Sequence, residues 1–286
     1  MGVFKAAAVQ MRSGESPERN AVDMERLVRE AAGLGATYIQ TPEMTGALIR
    51  DKDPRAASFT SEDKDVVVAT AHKLASELGV FLHIGSTAIL RADGKLANRA
   101  LLFSPEGTVI ASYDKIHMFD VDLDNGESWR ESAAYEPGTQ AVVTQIDGAK
   151  LGFAVCYDLR FPQLFRAEAL AGADVLSVPA AFTRQTGEAH WHVLLRARAI
   201  ENGAYVVAAA QGGLHEDGRE TYGHSLIVDP WGRILAEATH DEPGVIVAEI
   251  DPAQSLAARR KIPNLKNARE FAVNAGEAPR LRGAAS

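Results

Sequence analysis

Blocks of apolar and polar residues alternate along this 286-residue chain, and they predict alternating strands and helices near both ends. The first block, Phe4–Gln10, is a short apolar run typical of a buried strand. Ser16 and Pro17 then form a typical helix cap and first turn, and apolar residues follow at helical spacing as far as Gly33. Residues 36–42 predict a second strand that ends at Glu43. This βαβ-like unit places a carboxylate at the carboxyl end of a strand, where open α/β sheets carry their chemistry.

The remaining blocks predict two kinds of unit, helices and strands joined by turns. In the helix expected over residues 61–78, Ser61 is the expected cap, and Asp63 and Asp65 lie in the first turn. The later helices are expected over residues 61–78, 161–170 and 190–201. Strands are expected over residues 80–84, 98–103, 108–113, 141–146, 150–155, 174–178, 205–210, 221–228, 233–236 and 244–250. Residues 121–137 are polar and predict a long irregular loop, and such loops tend to be functional.

The order of these elements predicts the fold class. Several strands follow one another through hairpins, which indicates mixed sheets rather than a purely parallel one. More than ten strands exceed what one open sheet usually holds, so we expect an α/β fold of two mixed sheets packed face to face with helices outside. No break in composition or linker divides the chain, which predicts a single domain over residues 1–270. Residues 271–286 contain Gly, Pro and a small-residue end, and we expect a partly disordered tail.

Composition and charge exclude several classes of partner. The formal net charge is −8, which argues against nucleic acid or an anionic membrane as the main partner. No apolar stretch approaches the ~20 residues of a membrane span, and no charged segment precedes the first apolar run as in a signal peptide. Cys156 is the only cysteine, so the chain forms no internal disulfide and a reducing compartment is indicated. The sequence therefore predicts a cytoplasmic protein.

Cys156 is a candidate nucleophile because of its position between a strand and a helix. Pro162 stands where a first helical turn tolerates proline. Free backbone N–H groups and the positive end of a helix dipole are expected near the sulfur, and both favour a thiolate. A lone cysteine at a strand end is equally compatible with a small buried apolar residue. This segment alone leaves both interpretations open.

Two further strand ends carry residues that suit the chemistry of a cysteine nucleophile. Glu43 is a carboxylate that can accept the thiol proton, and Lys115 follows the strand at residues 108–113. A lysine ammonium and the Tyr157 backbone N–H can stabilise the oxyanion of a tetrahedral intermediate. These groups suit acyl transfer from a carbon–nitrogen bond. Their spacing in the sequence does not by itself show that they converge.

Three segments, taken together, resemble the three ordered motifs of the nitrilase superfamily of carbon–nitrogen hydrolases. They are Pro42-Glu43-Met44, residues 114–120 (DKIHMFD) and residues 155–162 (VCYDLRFP). The resemblance runs nearly the whole length and ends near Arg269. It implies a four-layer α-β-β-α sandwich that assembles as a homodimer or higher homo-oligomer, and a reaction that uses no metal or organic cofactor.

The same resemblance implies roles for individual residues. Glu43 matches the general base, Lys115 the group that stabilises the intermediate, and Cys156 the nucleophile. Glu131 matches a second glutamate that positions the substrate or assists catalysis, and its alternative is a solvated loop carboxylate. The implied activity is a Cys-dependent amidase that works through a thioester acyl-enzyme.

Within the superfamily the chain is most similar to the Nit branch. The segments that carry this similarity are residues 186–191, 194–201, 205–211, 222–225 and 229–232. The branch includes deaminated glutathione amidases, which the similarity favours, and ω-amidases for α-ketoglutaramate or α-ketosuccinamate. Another small aliphatic amide or carbamoyl hydrolase is a further alternative.

These substrates are small amides with a distal carboxylate, so the site needs a group that holds it. Arg160 matches the family's arginine for this carboxylate, and a guanidinium suits bidentate binding. Phe182 and Thr186 match the pocket positions that follow. Glu188 stands where members usually have proline, and this places it at the expected rim of the pocket.

Other classes of function remain as alternatives. A non-catalytic interaction protein could keep the fold, although Glu43, Lys115 and Cys156 are all present. A metal hydrolase would have to use histidines, and no carboxylate or cysteine completes a recognised ligand spacing with them. The histidines in question are His117, His190, His192 and His224. We expect His190 and Trp191 to pack the start of a helix beneath the pocket, and the Arg196/Arg198 pair to form structural ion pairs, for example with Glu201.

Overall fold

The computed structural model describes residues 2–50, 59–122 and 128–274, in which several strands follow one another directly and others are separated by helices. The strands are β1 (Phe4–Gln10), β2 (Tyr38–Gln40), β3 (Phe81–Leu90), β4 (Leu96–Phe103), β5 (Val109–Asp114), β6 (Asp120–Asp122), β7 (Ser128–Arg130), β8 (Val143–Ile146), β9 (Ala149–Phe153), β10 (Val175–Ser177), β11 (Tyr205–Ala208), β12 (Gly212–Leu214), β13 (Glu220–Tyr222), β14 (Leu226–Val228), β15 (Ile234–Glu237) and β16 (Gly244–Ile250). The helices are α1 (Pro17–Gly33), α2 (Val66–Leu78), α3 (Pro162–Leu170), α4 (Arg184–Asn202) and α5 (Pro252–Lys261). Short 3₁₀ turns cover Glu62–Lys64, Glu131–Ala133 and Cys156–Arg160.

The first six-stranded sheet has the order β16-β1-β2-β3-β4-β5. Strands β1, β2 and β3 are parallel, and β16, β4 and β5 pair with their neighbours in the antiparallel sense. Helices α1 and α2 cover its outer face, where Leu27 of α1 and Leu74 of α2 pack in one apolar cluster with Leu82 of the sheet. Burial of this apolar surface provides the main driving force for joining helices to sheet.

The second six-stranded sheet has the order β15-β14-β11-β10-β9-β8, with β9, β10 and β11 parallel. Its inner face packs on the first sheet in a larger apolar cluster, to which Leu102 and Tyr113 contribute from one side and Phe153 and Val207 from the other. Helices α3 and α4 pack on its outer face, and Leu195 of α4 belongs to the same cluster. The result is the predicted α-β-β-α sandwich of two mixed sheets.

Two helix starts differ from the sequence prediction. The Asp65 carboxylate, rather than Ser61, caps α2, because it accepts hydrogen bonds from the backbone N–H groups of Val67 and Val68 at 2.8 and 2.9 Å. Helix α4 begins at Arg184 instead of residue 190, and the added turn includes Gly187, a residue of low helix propensity. The local sequence did not indicate these residues as helical because of Gly187, which the fold packs directly against the Tyr222 side chain.

One loop prediction and one strand prediction were also wrong. Residues 121–137 are not wholly irregular, since β6 and β7 pair as a short hairpin and the turn Glu131–Ala133 follows. The single strand expected over residues 221–228 is two strands, β13 and β14. Gly223 and His224 lie between them with φ of +69° and +55°, and this left-handed backbone breaks an extended chain.

Parts of other predictions lie outside the described residues: residues 123–127 of the loop and residues 275–286 of the expected tail. Residues 271–274 are described and have no regular secondary structure. Among the described helices, none combines the length and the apolar character needed to cross a membrane.

Gly85 in β3 lets the chain segments that build the site approach one another, and it provides a test of the fold. A Cβ at this position would overlap the Thr41 carbonyl oxygen and the Cβ of Pro179. We expect Gly85→Ala to lower the free energy of unfolding by about 2 kcal/mol or more, measured by urea denaturation. Gly33→Ala is the matched control, because nothing lies within 4 Å of its added Cβ, and it should change stability by less than about 0.5 kcal/mol. Equal effects of the two variants would contradict the close packing at Gly85.

Candidate active site

Glu43 lies just beyond the carboxyl end of β2, with both of its carboxylate oxygens bonded. Oε1 accepts hydrogen bonds from Lys115 Nζ at 3.0 Å and from Asn98 Nδ2 at 2.9 Å. Oε2 accepts one from the Ala181 backbone N–H at 2.9 Å. Met44 then adopts a left-handed backbone with φ of +56°, which turns the chain away from the sheet. The carboxylate is therefore buried and fixed in orientation.

Lys115 directly follows β5, and its ammonium lies between two glutamates. Nζ donates to Glu43 at 3.0 Å and to Glu131 Oε2 at 2.8 Å, and its side chain is only 2% exposed. Burial lowers the pKa of this ammonium, but the negative charges of Glu131 and Glu43 outweigh burial, so the pKa lies well above its ordinary value. Lys115 is a permanent cation in this position.

Glu131 is part of this cluster and is not a solvated loop carboxylate. Its Oε2 also accepts a hydrogen bond from the Phe119 backbone N–H at 2.7 Å. Its Oε1 accepts one from Asn98 Nδ2 at 2.9 Å. The loop that carries Glu131 is thereby attached to the end of the lysine segment.

Asn98 is a site residue that the sequence analysis missed. It lies in β4 and its Nδ2 bridges the two glutamates, at 2.9 Å from each. The backbone carbonyl oxygen of Asn98 also accepts a hydrogen bond from the Lys115 backbone N–H at 2.9 Å. The only signal in the sequence is a polar amide within an otherwise apolar run, and a buried amide needs partners to offset its desolvation.

Cys156 follows β9 with a left-handed backbone, φ +51°, and starts a 3₁₀ turn rather than an α-helix. A non-glycine residue in this region is strained, and such strain concentrates at functional sites. Its backbone N–H donates to the Pro179 carbonyl at 2.9 Å, which fixes the sharp turn. The side chain is 8% exposed, so it contacts the cavity while remaining largely buried.

The expectation that the surroundings of Cys156 favour a thiolate was wrong. Burial raises the pKa of the thiol, and the charge of Glu43 raises it further. The Lys115 ammonium and the Ala181 backbone N–H lower it, but by less, so the pKa lies well above its ordinary value. N–H groups and a helix dipole do not lower the pKa of this thiol below its ordinary value, because the folded chain buries the sulfur and brings Glu43, distant in sequence, next to it. The resting state is a neutral thiol beside a carboxylate.

Asp158 joins the cysteine turn to the lysine segment. It is fully buried and accepts hydrogen bonds from the Tyr113 hydroxyl at 2.7 Å and the Val155 backbone N–H at 2.9 Å. It also accepts the His117 backbone N–H at 3.0 Å and contacts His117 Nδ1 at 2.6 Å. The position of Cys156 relative to Lys115 therefore depends on one carboxylate.

Glu43, Lys115, Glu131 and Cys156 all line one cavity of about 330 Å³. Its volume is in the range of small-molecule sites. The three residues expected to bind substrate line it as well: Arg160, Phe182 and Thr186.

The predicted carboxylate-binding residue lies on one wall of the cavity. The Arg160 guanidinium carbon is 5.4 Å from the centre of the Phe182 ring and 6.0 Å from that of Tyr157. Thr186 is buried beside it, with its hydroxyl 2.9 Å from that of Thr183. The backbone N–H of Tyr157 belongs to the first turn after Cys156, where N–H groups lack intrahelical acceptors. Glu188 was expected at the rim, but it is exposed outside this cavity and pairs with Arg184 at 3.2 Å.

Trp129 and Arg219 also line the cavity and were not predicted. The Arg219 guanidinium carbon lies 4.4 Å from the centre of the Trp129 ring. Trp129 belongs to the polar loop that sequence analysis singled out, whereas nothing in the sequence distinguishes Arg219 from other arginines.

The remaining predictions concern histidines and arginines around the site. His192 pairs with Glu237 at 2.9 Å, and the described residues contain no group of three or more His, Cys, Asp or Glu side chains placed to hold a metal ion. Trp191 is buried against Phe182, whereas His190 is exposed near Arg160. The ion pair expected between Arg198 and Glu201 is confirmed at 2.8 Å, whereas Arg196 Nε donates instead to the Gly232 backbone carbonyl at 2.7 Å.

Replacing Asp158 tests its role in joining the two segments. Asp158→Ala leaves several buried donors without an acceptor, so we expect the free energy of unfolding to fall by about 3 kcal/mol or more. Chemical denaturation measures this change. Asp23→Ala, at an exposed position of α1, is the control and should have an effect below about 0.5 kcal/mol. A loss no larger than that of the control would show that Asp158 does not join the segments.

The ionisation of Cys156 can be measured directly, because it is the only cysteine. Thiolate absorbance near 240 nm should be absent at neutral pH and appear only as pH rises well above the ordinary thiol range, with Cys156→Ala as the blank. Glu43→Gln removes the negative charge that raises the thiol pKa, so the titration should move to lower pH. Glu30→Gln, an exposed carboxylate of α1, should leave the titration in place. A titration unmoved by Glu43→Gln would rule out coupling between the two groups.

Comparison with known proteins gives an independent account of this fold and cavity. The family model described as "Carbon-nitrogen hydrolase" matches residues 5–260. A protein of Synechocystis named deaminated glutathione amidase is 39% identical over 276 residues, covering 93% of this chain and 98% of its own length.

Solved structures agree with this match. The NitFhit protein of C. elegans superposes with a TM-score of 0.86 at 32% identity, over 94% of this chain and 66% of that protein. An amidase from Nesterenkonia sp. AN1, with a TM-score of 0.76 at 28% identity, covers 90% of this chain and 94% of its own. In that structure of a mutant amidase, the acetamide moiety of fluoroacetamide is attached covalently to the active-site cysteine. The match over most of the chain and the 39% identity show that this protein belongs to the carbon–nitrogen hydrolase family of the nitrilase superfamily, as a hydrolase of carbon–nitrogen amide bonds.

Proposed function

We propose that this protein is a deaminated glutathione amidase in which Cys156 is the nucleophile, Glu43 the general base and Lys115 the oxyanion-stabilising cation. The observation that carries the proposal is the convergence of these three residues, from three chain segments, in one cavity that also contains Arg160. The amide activity follows from the family, and the substrate from the names of the relatives.

In the first half of the reaction the enzyme is acylated. Glu43 accepts the proton of the neutral Cys156 thiol while the sulfur attacks the amide carbon and the carbonyl electrons move to oxygen. Lys115 and the Tyr157 backbone N–H stabilise that oxyanion. When the carbonyl reforms, the carbon–nitrogen bond breaks and the nitrogen leaves with the proton held by Glu43. A thioester on Cys156 and a free amine or ammonia result.

In the second half, water releases the acid. Glu43 takes a proton from water while the water oxygen attacks the thioester carbon. Lys115 again stabilises the oxyanion. The carbon–sulfur bond then breaks, and the sulfur recovers the proton from Glu43. One water is consumed for each amide, and the enzyme returns to its neutral thiol. Glu131 acts through Lys115, whose ammonium it holds in position at 2.8 Å.

The substrate proposal depends on the acyl side of the cavity. Deaminated glutathione carries an α-keto carboxylate at the far end of its acyl group, and a guanidinium binds a carboxylate through two parallel hydrogen bonds. The Arg160 guanidinium packs against the Phe182 ring on one wall of the cavity, and we infer that it binds this carboxylate there. The ω-amides α-ketoglutaramate and α-ketosuccinamate, and other small aliphatic amides, need the same catalytic groups and are distinguished by turnover.

The proposal extends to assembly and location. We infer a homodimer or higher homo-oligomer, because α4 carries Val193 and Ile200 exposed on its outer face, where a second subunit would cover them. The single cysteine supports a reducing compartment such as the cytoplasm.

Turnover of deaminated glutathione beside α-ketoglutaramate tests this proposal. We expect higher kcat/KM on deaminated glutathione, and a loss of about 10⁴-fold or more in Cys156→Ala, because the nucleophile is removed. Intact-protein mass spectrometry after acid quenching should detect the α-ketoglutaryl thioester on the wild type and not on Cys156→Ala.

Two results would contradict the proposal in different ways. Higher efficiency on α-ketoglutaramate would retain the mechanism and assign an ω-amidase. Activity that survives Cys156→Ala and is abolished by a chelator would exclude the cysteine mechanism.

A further inference from the structure

Arg219 lines the catalytic cavity, and the proposed mechanism gives it no role. Its side chain is 9% exposed, and it immediately precedes β13. Its Nη2 lies 3.4 Å from Asp217 Oδ2, yet neither Nε nor Nη2 makes a hydrogen bond to any residue that the structure describes. Buried donors without acceptors are costly and call for an explanation, which an anionic ligand would provide.

The surroundings of Arg219 keep its guanidinium at the cavity. The Trp129 ring covers it, with the guanidinium carbon 4.4 Å from the ring centre. Arg50 contacts the same ring at 5.0 Å. Asp217 Oδ1 accepts the Arg219 backbone N–H at 2.9 Å, which fixes the turn that presents the side chain. The donors that remain are Nε and Nη2 of Arg219. They lie on one edge of the planar guanidinium, whose geometry matches that of a carboxylate.

Arg160 and Arg219 occupy different walls of the cavity. Arg160 packs against Phe182 and Tyr157, and Arg219 packs against Trp129. Both residues and Cys156 line the same space. A ligand with two carboxylates can therefore contact both cations while its amide lies at the sulfur.

Deaminated glutathione has such a structure. Its scissile amide joins an α-ketoglutaryl group, with one carboxylate, to cysteinylglycine, with a second carboxylate at the glycine end. α-Ketoglutaramate has the first carboxylate alone, because its leaving group is ammonia. The two substrates differ only on the leaving-group side.

We propose that Arg219, covered by Trp129, forms a carboxylate subsite for the C-terminal carboxylate of the leaving dipeptide. This inference rests on the proposed function and specifies the half of the substrate that Arg160 does not bind. Arg219 is thus the residue that selects a peptide amide over a simple ω-amide.

The reaction sequence shows where this subsite acts. Deaminated glutathione and α-ketoglutaramate yield the same α-ketoglutaryl thioester, so their hydrolysis is identical once the leaving group has departed. A contact to the leaving dipeptide can therefore change substrate binding and acylation, and kcat/KM reports both steps. It cannot change the breakdown of the thioester.

The first experiment compares two substrates on the wild type. One is deaminated glutathione, and the other is the same compound with its glycine carboxylate converted to an amide. A charge-assisted contact predicts about 10- to 100-fold lower kcat/KM for the amidated compound. Because no residue is changed, the result does not depend on whether a variant folds.

The second experiment removes the cation. In Arg219→Met, the ratio of kcat/KM for the acid to kcat/KM for its amide should fall to near one. Arg219→Lys should retain part of this ratio, because a lysine ammonium still provides a single point charge. Arg260→Met, at an exposed position of α5, is the matched control and should keep the full ratio. Arg160→Met should lower kcat/KM for both compounds alike and preserve the ratio.

The outcomes separate this inference from the proposed function. Equal efficiency of the wild type on the acid and its amide, or a ratio unchanged in Arg219→Met, would overturn the subsite while the amidase assignment stands. Failure of the wild type to hydrolyse either compound would overturn the proposed function, and the subsite with it.

Discussion

The buried Lys115 ammonium between Glu43 and Glu131 is the interaction on which the site depends. Removing one cation and two carboxylates from water carries a large desolvation penalty, which only close pairing and full hydrogen bonding offset. Asn98 donates a hydrogen bond to each carboxylate, and the backbone N–H groups of Ala181 and Phe119 donate one more to Glu43 and to Glu131 respectively. The three charged residues and these partners come from five separate chain segments, around Glu43, Asn98, Lys115 to Phe119, Glu131 and Ala181. The cluster forms only when both sheets and the loops at their ends are in place, which links the chemistry to the folded state.

Burial and the neighbouring Glu43 determine the state of the nucleophile. Burial raises the pKa of the Cys156 thiol and the charge of Glu43 raises it further, which together outweigh the Lys115 ammonium and keep the thiol protonated. In the proposed mechanism the proton therefore moves to Glu43 only as the sulfur attacks. Such an arrangement avoids a standing thiolate, the form of cysteine that is most easily oxidised.

Much of the fold could be predicted from periodicity, since β1, α1 and the two mixed sheets follow from local apolar patterns. Glu43, Lys115 and Cys156 could be named because they stand in ordered motifs that resemble a family. Asn98 could not, because its role arises from two glutamates that approach it from other segments. The same reason explains the wrong expectation for the thiol, since the sequence of the local turn reveals neither the burial of the sulfur nor the nearby charge of Glu43. Local patterns predict elements, whereas charges and amides acquire their roles from tertiary contacts.

The two arginines of the cavity show how one catalytic apparatus can serve different amides. The acyl group must reach Cys156 in every case, so in the proposed function the contact of Arg160 with the acyl carboxylate is common to all keto-acid amides. The proposed subsite at Arg219, which Trp129 covers, contacts only the leaving group. Because the acyl-enzyme no longer contains the leaving group, selectivity on that side acts before the thioester forms. In this proposal a carboxylate on the leaving group is recognised at the one step where it distinguishes a peptide amide from ammonia, without altering the groups that hydrolyse the thioester.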